Sequence, residues 1–119
     1  MVADTIKTKG GVIMNNRFPY ENYDGLGLAE VLNKKEISAR ELVEMVIEKI
    51  EAVNPDLNAV IHKRYEQARK AATGGVTGKF AGVPMLLKDI SQEIKGEPIT
   101  SGSKALLNYR PKDDSEYVR

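Results

Sequence analysis

Residues 81–90 read AGVPMLLKDI, and this stretch carries the clearest indication of sheet structure in the sequence. A short, nearly continuous apolar run is typical of a strand covered on both faces. Side chains alternate along an extended chain, so Lys88 and Asp89 are expected to face opposite sides. The run, residues 83–88, therefore predicts a buried strand that ends in a lysine.

Lys88 is a candidate for chemistry because of where the predicted strand leaves it. A lysine buried in an apolar surround without an acid partner is pushed towards its neutral amine, since burial disfavours the charged form. A neutral amine can act as general base for a hydroxyl nucleophile. The alternative is a strand-end lysine whose ammonium reaches solvent, which on physical grounds alone is the commoner arrangement.

The segment ISARELVEMVIEKIEAVNPDLNA, beginning at residue 37, predicts a long amphipathic helix. Ser38 and Glu41 have the spacing of a capping box, and Ile37 with Leu42 has that of a hydrophobic staple. One apolar stripe follows at helical spacing, made of Leu42, Val43, Val46, Ile47, Ile50 and Val53. Pro55 is expected to end the helix.

Weaker patterns predict the remaining organisation. Residues 1–23 mix Gly, Asn and Pro without a period and are expected to form an N-terminal arm. Residues 24–119 are expected to belong to one domain. The elements predicted there are a helix capped by Asp24, a short strand over 57–61, a helix over 65–72, a short helix near Ser103 and the start of another after Asp114.

Composition excludes several classes of function. The 119 residues contain no cysteine, so disulfides and thiol nucleophiles are excluded, and the single histidine, His62, argues against a histidine-based metal site or catalytic triad. Net charge is +1 without a basic stripe, and we expect no nucleic-acid partner. No apolar run approaches the roughly 20 residues that span a bilayer. We expect no membrane partner, no cofactor, no metal and a cytoplasmic location.

Three short motifs fail on inspection. GGVTGK, from Gly74, lacks the spacing and the Ser or Thr of a phosphate-binding loop. GLGLAE, from Gly25, has a glutamate at the third glycine position of a dinucleotide fingerprint. SGSK satisfies a Ser-x-x-Lys spacing with Ser101 and Lys104, but its companion motifs are absent, and a turn before a helix is the simpler interpretation.

The order of several motifs resembles the N-terminal portion of the amidase signature family. The resemblance covers roughly residues 26–119. It comprises a Ser-x-x-Glu-Leu helix start, an Asn-Ala pair, a Gly-Val-Pro run that ends in Lys-Asp, and a Thr-x-Gly-Ser turn. The corresponding residues are Ser38, Glu41, Leu42, Asn58, Ala59, Gly82, Val83, Pro84, Lys88, Asp89, Thr100, Gly102 and Ser103.

This resemblance implies an α/β fold in which a mixed sheet lies between helical layers. The chain would supply leading helices and one or two strands. It also implies a Ser–cis-Ser–Lys hydrolase in which Lys88 is the base. The family's two catalytic serines lie in a downstream Gly/Ser-rich motif, and Ser91, Ser101, Ser103 and Ser115 do not lie in that motif. Residues 24–119 are therefore expected to be a truncated part of an amidase domain, inactive alone.

The expected activity is hydrolysis of the C–N bond of a small-molecule amide. An alternative is the amide-hydrolysing subunit of a tRNA-dependent amidotransferase, which shares the signature. A further alternative is a small interaction domain without catalysis, which would be compact and monomeric with Lys88 in solvent. Apolar faces that need a larger sheet to cover them predict self-association.

Overall fold

The structure, a computed structural model, describes residues 18–119, and its regular structure is helical. The α-helices are α1 (Gly25–Asn33), α2 (Ala39–Leu57) and α3 (Tyr65–Thr73). Two short 3-10 turns complete the order, at Tyr20–Asn22 before α1 and at Lys104–Leu106 near the end. The predicted N-terminal arm lies outside the described residues as far as residue 17.

Both predicted N-terminal caps are confirmed. The Asp24 carboxylate accepts from the Gly27 amide at 2.7 Å and opens α1. Ser38 and Glu41 form the reciprocal capping box of α2, with Ser38 Oγ accepting from the Glu41 amide at 3.1 Å and Glu41 Oε2 accepting from the Ser38 amide at 3.0 Å. These bonds satisfy amides that have no partner inside the helix.

The end of α2 differs from prediction, because Pro55 lies inside the helix, which continues to Leu57. Asn58 then takes a left-handed conformation, with φ of 48°, and its amide donates to the Asn54 carbonyl at 2.7 Å. The Asn54 side chain meanwhile holds both backbone groups of Val60, at 2.8 and 3.0 Å. The strand predicted over 57–61 is wrong for this reason: its first residue is helical, and Val60 has its backbone bonds already made.

The predicted α/β fold with a mixed sheet is also wrong, since no strand occurs among residues 18–119. A strand needs a neighbouring strand to pair with its backbone groups. Residues 83–88 find local partners instead: the Val83 amide donates to the Phe80 carbonyl, and the Lys88 amide to the Gln92 side chain. The apolar run is therefore irregular chain, and its residues 85–88 are exposed rather than buried as predicted.

The helices predicted near the C-terminal end shorten to turns. Ser103 caps only the single 3-10 turn Lys104–Leu106. Residues 115–119 form a turn closed by a bond from the Val118 amide to the Ser115 carbonyl at 2.9 Å. Asp114, expected to cap a helix there, accepts instead from the Lys95 amide at 2.8 Å.

The core lies between α1 and α2. Leu42 is fully buried and clusters with Val31 and Ile37, so the two residues of the predicted staple share one apolar cluster. Phe18 and Tyr20, which precede α1, also pack against this cluster. Only part of the stripe on α2 is thereby covered by the chain that comes before it.

The other side of α2 faces α3, and a charged pair joins the two helices. The Arg69 guanidinium makes two parallel bonds to the Glu44 carboxylate, Nε to Oε1 at 2.9 Å and Nη2 to Oε2 at 2.9 Å. Glu66 also accepts from Arg69, and the bonds to Glu44 and, less strongly, to Glu66 raise the pKa of the guanidinium. The bidentate geometry fixes how α3 lies against α2.

Gly82 is the position where the chain after α3 approaches the α1–α2 pair most closely. Its φ is +83°, and a Cβ placed there would lie 3.0 Å from the Ala39 Cβ. We expect Gly82→Ala to lower the unfolding free energy by about 1–3 kcal/mol more than a control substitution, because the added methyl overpacks the contact. The control is Gly96→Ala, since Gly96 has a similar φ of +76° with nothing within 4 Å. Urea unfolding of both variants measures the difference, and equal losses would contradict the close approach.

Candidate active site

An open groove of about 1050 Å³ runs between α2, α3 and the apolar run 80–88. Residues of the α2 stripe form one wall and alanines of α3 form another. The lining residues include Val43, Ile47, Ile50, Ala68 and Ala71. Met85 and Leu86 also line it and are 63% and 66% exposed. The groove is therefore apolar and open to solvent along the run.

Lys88 is one of the residues that line this groove, and it is exposed. Its amide donates to Gln92 Oε1 at 2.5 Å, and its carbonyl accepts from the Ile90 amide at 2.8 Å. Within residues 18–119 its ammonium forms no ion pair. The lysine is thus unpaired, as the sequence predicted, but it is not enclosed by the part of the chain that is described. Its role as base stays a prediction.

Asp89, the next residue, is anchored to Thr100. The Thr100 amide donates to Asp89 Oδ1 at 2.8 Å, and the Thr100 hydroxyl donates to Oδ2 at 2.5 Å. The Asp89 side chain is 18% exposed, and Thr100 is buried. The hydroxyl bond from Thr100 is the main cause that lowers the pKa of the Asp89 carboxyl. Asp89 is therefore a charged anchor for the segment that carries Lys88.

The Thr-x-Gly-Ser turn folds tightly around that anchor. Ser101 and Gly102 take left-handed conformations, with φ of 49° and 69°, and the Ser103 amide donates to the Thr100 carbonyl at 2.8 Å. Ser101 Oγ lies 3.4 Å from the carbonyl oxygen of Ile90. The structure thus brings the Lys-Asp pair and the Thr-x-Gly-Ser turn side by side. Among the described residues, no hydrogen bond joins Ser101 to Lys104, the weak nucleophile pair of the sequence.

His62 also reaches this anchor, and sequence reasoning missed the contact. Its Nε2 lies 3.5 Å from Asp89 Oδ1, at the limit of an ion pair, and forms no hydrogen bond of good geometry. The His62 side chain is 32% exposed, so it is partly packed and partly open to solvent. Nothing in the sequence links residues 62 and 89, because the contact depends on how α3 returns the chain to α2.

The Asp89–Thr100 anchor predicts a pH dependence of stability. Because the pKa of Asp89 is lowered in the folded protein, the unfolded chain binds the extra proton first. The contribution of Asp89 to the unfolding free energy is therefore fully present above pH 3.8, its usual pKa. It is lost as pH falls through the lower pKa that Asp89 has in the folded protein. We expect the difference in unfolding free energy between the wild-type chain and Asp89→Asn to shrink between pH 6 and pH 3. Asp113→Asn, at an exposed carboxylate, is the control, and a constant difference for Asp89→Asn would contradict the anchor.

The comparison with protein families identifies the chain. The sequence model of the Amidase family matches residues 41–119, which include the Lys-Asp pair, the Thr-x-Gly-Ser turn and the apolar run 80–88. The chain belongs to the amidase family.

Relatives of the chain carry several related activities in their names. A 6-aminohexanoate-cyclic-dimer hydrolase of Pseudomonas sp. is 40% identical over 98 residues, which are 81% of this chain and 20% of that protein. A lipoamidase of Enterococcus faecalis is 40% identical over 102 residues, 84% of this chain and 14% of that protein. A glutamyl-tRNA(Gln) amidotransferase subunit of Salinispora tropica is 35% identical over 106 residues, 82% of this chain and 21% of that protein.

These relatives are much longer than the chain, which spans about one fifth of the length of the hydrolase and amidase relatives that it matches. No solved structure gives a significant match. Among the helices described for residues 18–119, none combines the length and apolar character needed to cross a membrane.

Proposed function

We propose that this sequence supplies the base-bearing part of an amidase that hydrolyses the C–N bond of a small-molecule amide, with Lys88 as the base. The observation that supports the proposal is the position of Lys88: it lines a mostly apolar groove, has no ion pair within residues 18–119, and is next to Asp89, which binds Thr100 of the Thr-x-Gly-Ser turn. The family membership supplies the reaction class.

The chemistry follows from what an unpaired amine can do in such a site. In its neutral form Lys88 would accept a proton through a bridging serine from the nucleophilic serine, which attacks the amide carbonyl and forms an acyl-enzyme. Water then releases the acid, and backbone amides near the nucleophile stabilise the oxyanion. In the family both serines belong to a Gly/Ser-rich motif, and none of the serines in this sequence lies in one. We therefore expect the 119 residues alone to have no amidase activity.

The groove supports an apolar amide as the substrate class. Most of its lining is apolar, although charged residues such as Arg64 and Glu97 also line it, and the exposed Met85 and Leu86 extend the apolar surface towards Lys88. Burial of such surface against the hydrocarbon part of an amide would place its carbonyl near the lysine. The absence of cysteine suits a reducing compartment and supports a cytoplasmic location.

A second candidate is the amide-hydrolysing subunit of a tRNA-dependent amidotransferase. The 35% identity to the Salinispora tropica amidotransferase subunit favours it. Release of ammonia that depends on a charged tRNA would support this candidate, whereas hydrolysis without tRNA would support the amidase.

A third candidate is a non-catalytic interaction domain, for which Lys88 in solvent is also the expected arrangement. It predicts a monomer, whereas the amidase proposal predicts that the isolated chain self-associates through the exposed apolar run. Light scattering after size-exclusion chromatography separates the two.

A chimeric enzyme tests the proposal directly. The segment of the Pseudomonas hydrolase that matches this chain would be replaced by the corresponding residues of this sequence, a substitution that the 40% identity favours. We expect the folded chimera to hydrolyse the cyclic dimer of 6-aminohexanoate, and to lose that activity on Lys88→Ala. A folded chimera without activity, or one indifferent to Lys88, would contradict the proposal.

A further inference from the structure

We propose that Asp89 is a positioning residue for Lys88, acting through its two hydrogen bonds to Thr100. The inference rests on the proposed function, because it assumes that Lys88 is the base. It goes beyond that function by assigning roles to a carboxylate and a hydroxyl that do not themselves touch the reacting atoms.

Within residues 18–119, every other polar contact of residues 88–90 is either local or long, and this includes the approach of His62 Nε2 to Asp89 Oδ1 at 3.5 Å. Lys88 and Ile90 are exposed, and the bonds of the Lys88 backbone reach only Gln92 and Ile90, four and two residues away. Local bonds of this kind shape the turn but do not fix it relative to the groove. Ser101 Oγ, at 3.4 Å from the Ile90 carbonyl, adds only a long bond across to the next segment.

The link between Asp89 and Thr100, in contrast, is strong. Both carboxylate oxygens are used, one by the Thr100 amide and the other by its hydroxyl, at 2.8 and 2.5 Å. Hydrogen bonds to an ionised acceptor are about twice as strong as neutral ones. Thr100 is 8% exposed and follows Ile99, which is 5% exposed, so the anchor point is itself packed. Asp89 thus ties an exposed turn to a buried residue.

The hydrogen bonds of Asp89 argue against a direct role for its carboxylate in proton transfer. A carboxylate whose two oxygens already accept from Thr100 is held in its ionised form, and the lowered pKa of Asp89 has this bond as its largest cause. A carboxylate with a lowered pKa is a weak base, so it accepts a proton poorly at neutral pH. Its contribution is therefore to the position of its neighbour, and displacement of a catalytic group by about 1 Å can cost about 10²-fold in rate.

Hydrogen exchange on the 119-residue chain tests the tether itself. We expect Thr100→Val to speed exchange of the backbone amides of residues 88–90 about tenfold, because the variant loses the hydroxyl bond and weakens the remaining link. Thr100→Ser keeps a hydroxyl at the same place and should exchange as the wild type does. Equal exchange in the Val and Ser variants would overturn the inference.

Kinetics of the chimeric hydrolase test the consequence for catalysis. We expect Thr100→Val to lower kcat by about 10²-fold with KM changed less than about twofold, and Thr100→Ser to restore most of the rate. Gly96→Ala, strained by a φ of +76° and outside the groove lining, should leave kcat near the wild-type value. In the Lys88→Ala background, Thr100→Val should lower kcat no further, since its effect passes through the lysine.

The outcomes separate this inference from the proposed function. If Lys88→Ala retains activity, the proposed function fails and the inference with it. If Lys88→Ala is inactive while Thr100→Val keeps its kcat, only the positioning role fails. Additive losses in the double variant, or a loss in Thr100→Val that appears only in KM, would likewise assign Asp89 and Thr100 a purely structural part.

Discussion

Replacement of Lys88 by alanine in the chimeric hydrolase should lower kcat by about 10²–10⁴-fold, the range that a positioned general base contributes. The loss is expected because Lys88 is the group proposed to accept the proton of the nucleophilic serine, and an alanine side chain cannot accept it. KM should change little, since the groove walls come from α2, α3 and the apolar run. Initial rates over a substrate series measure both constants.

Two further variants make the result specific to the amine. Lys88→Arg keeps the positive charge and length, but a guanidinium stays protonated and cannot accept the serine proton, so it should be as inactive as alanine. Lys79→Ala removes an exposed lysine outside the groove lining and should keep full activity. A fully active Lys88→Ala, or an equal loss in Lys79→Ala, would show that Lys88 is only an exposed lysine.

The helices could be predicted because their signals are local. The capping box of α2 spans Ser38 to Glu41, and the N-cap of α1 spans Asp24 to Gly27, so each is complete within four residues. Pro55 misled the prediction of where α2 ends, because a proline costs a helix only the bond of its own amide and steric strain with the preceding turn. The Asn54 side chain and the left-handed Asn58 close the helix two residues later.

The sheet was mispredicted because a strand is not a local property. Residues 83–88 have the composition of a covered strand, but whether they pair depends on another segment that must lie alongside. Among the described residues no second strand lies alongside this run, and its backbone bonds close locally. Residues 85–88 are exposed, so composition identified an apolar segment but not whether the described chain covers it.

The candidate site was predictable residue by residue but not as an arrangement. The Lys-Asp pair and the Thr-x-Gly-Ser turn were each visible in the sequence, eleven positions apart from Asp89 to Thr100. Their direct contact requires the chain between them to fold back on itself. The spacing of apolar residues in the sequence predicts local structure and does not predict such a contact. The same holds for His62, which approaches Asp89 from before α3.

The largest effect on stability is expected at Leu42, the one large side chain that is fully buried in the described residues. Leu42→Ala should lower the unfolding free energy by about 2–5 kcal/mol, because the transfer energy of the lost methyl groups adds to the cost of the cavity. The cavity would open between α1 and α2, where Val31 and Ile37 meet the stripe. Urea unfolding of the 119-residue chain, followed by circular dichroism, measures the loss.

The matched control for Leu42 is Leu57, a leucine of the same helix that is 66% exposed. Leu57→Ala should change the unfolding free energy by no more than about 0.5 kcal/mol, as surface substitutions usually do. Both variants replace a leucine by a residue of higher helix propensity, so propensity alone predicts a slight gain at each site. A large loss at position 42 alone therefore reports burial, whereas similar small changes at both positions would mean that α1 does not pack on α2. Since Gly82 lies against Ala39 and Leu32 on this same helix pair, loss of the core would also release the run that carries Lys88.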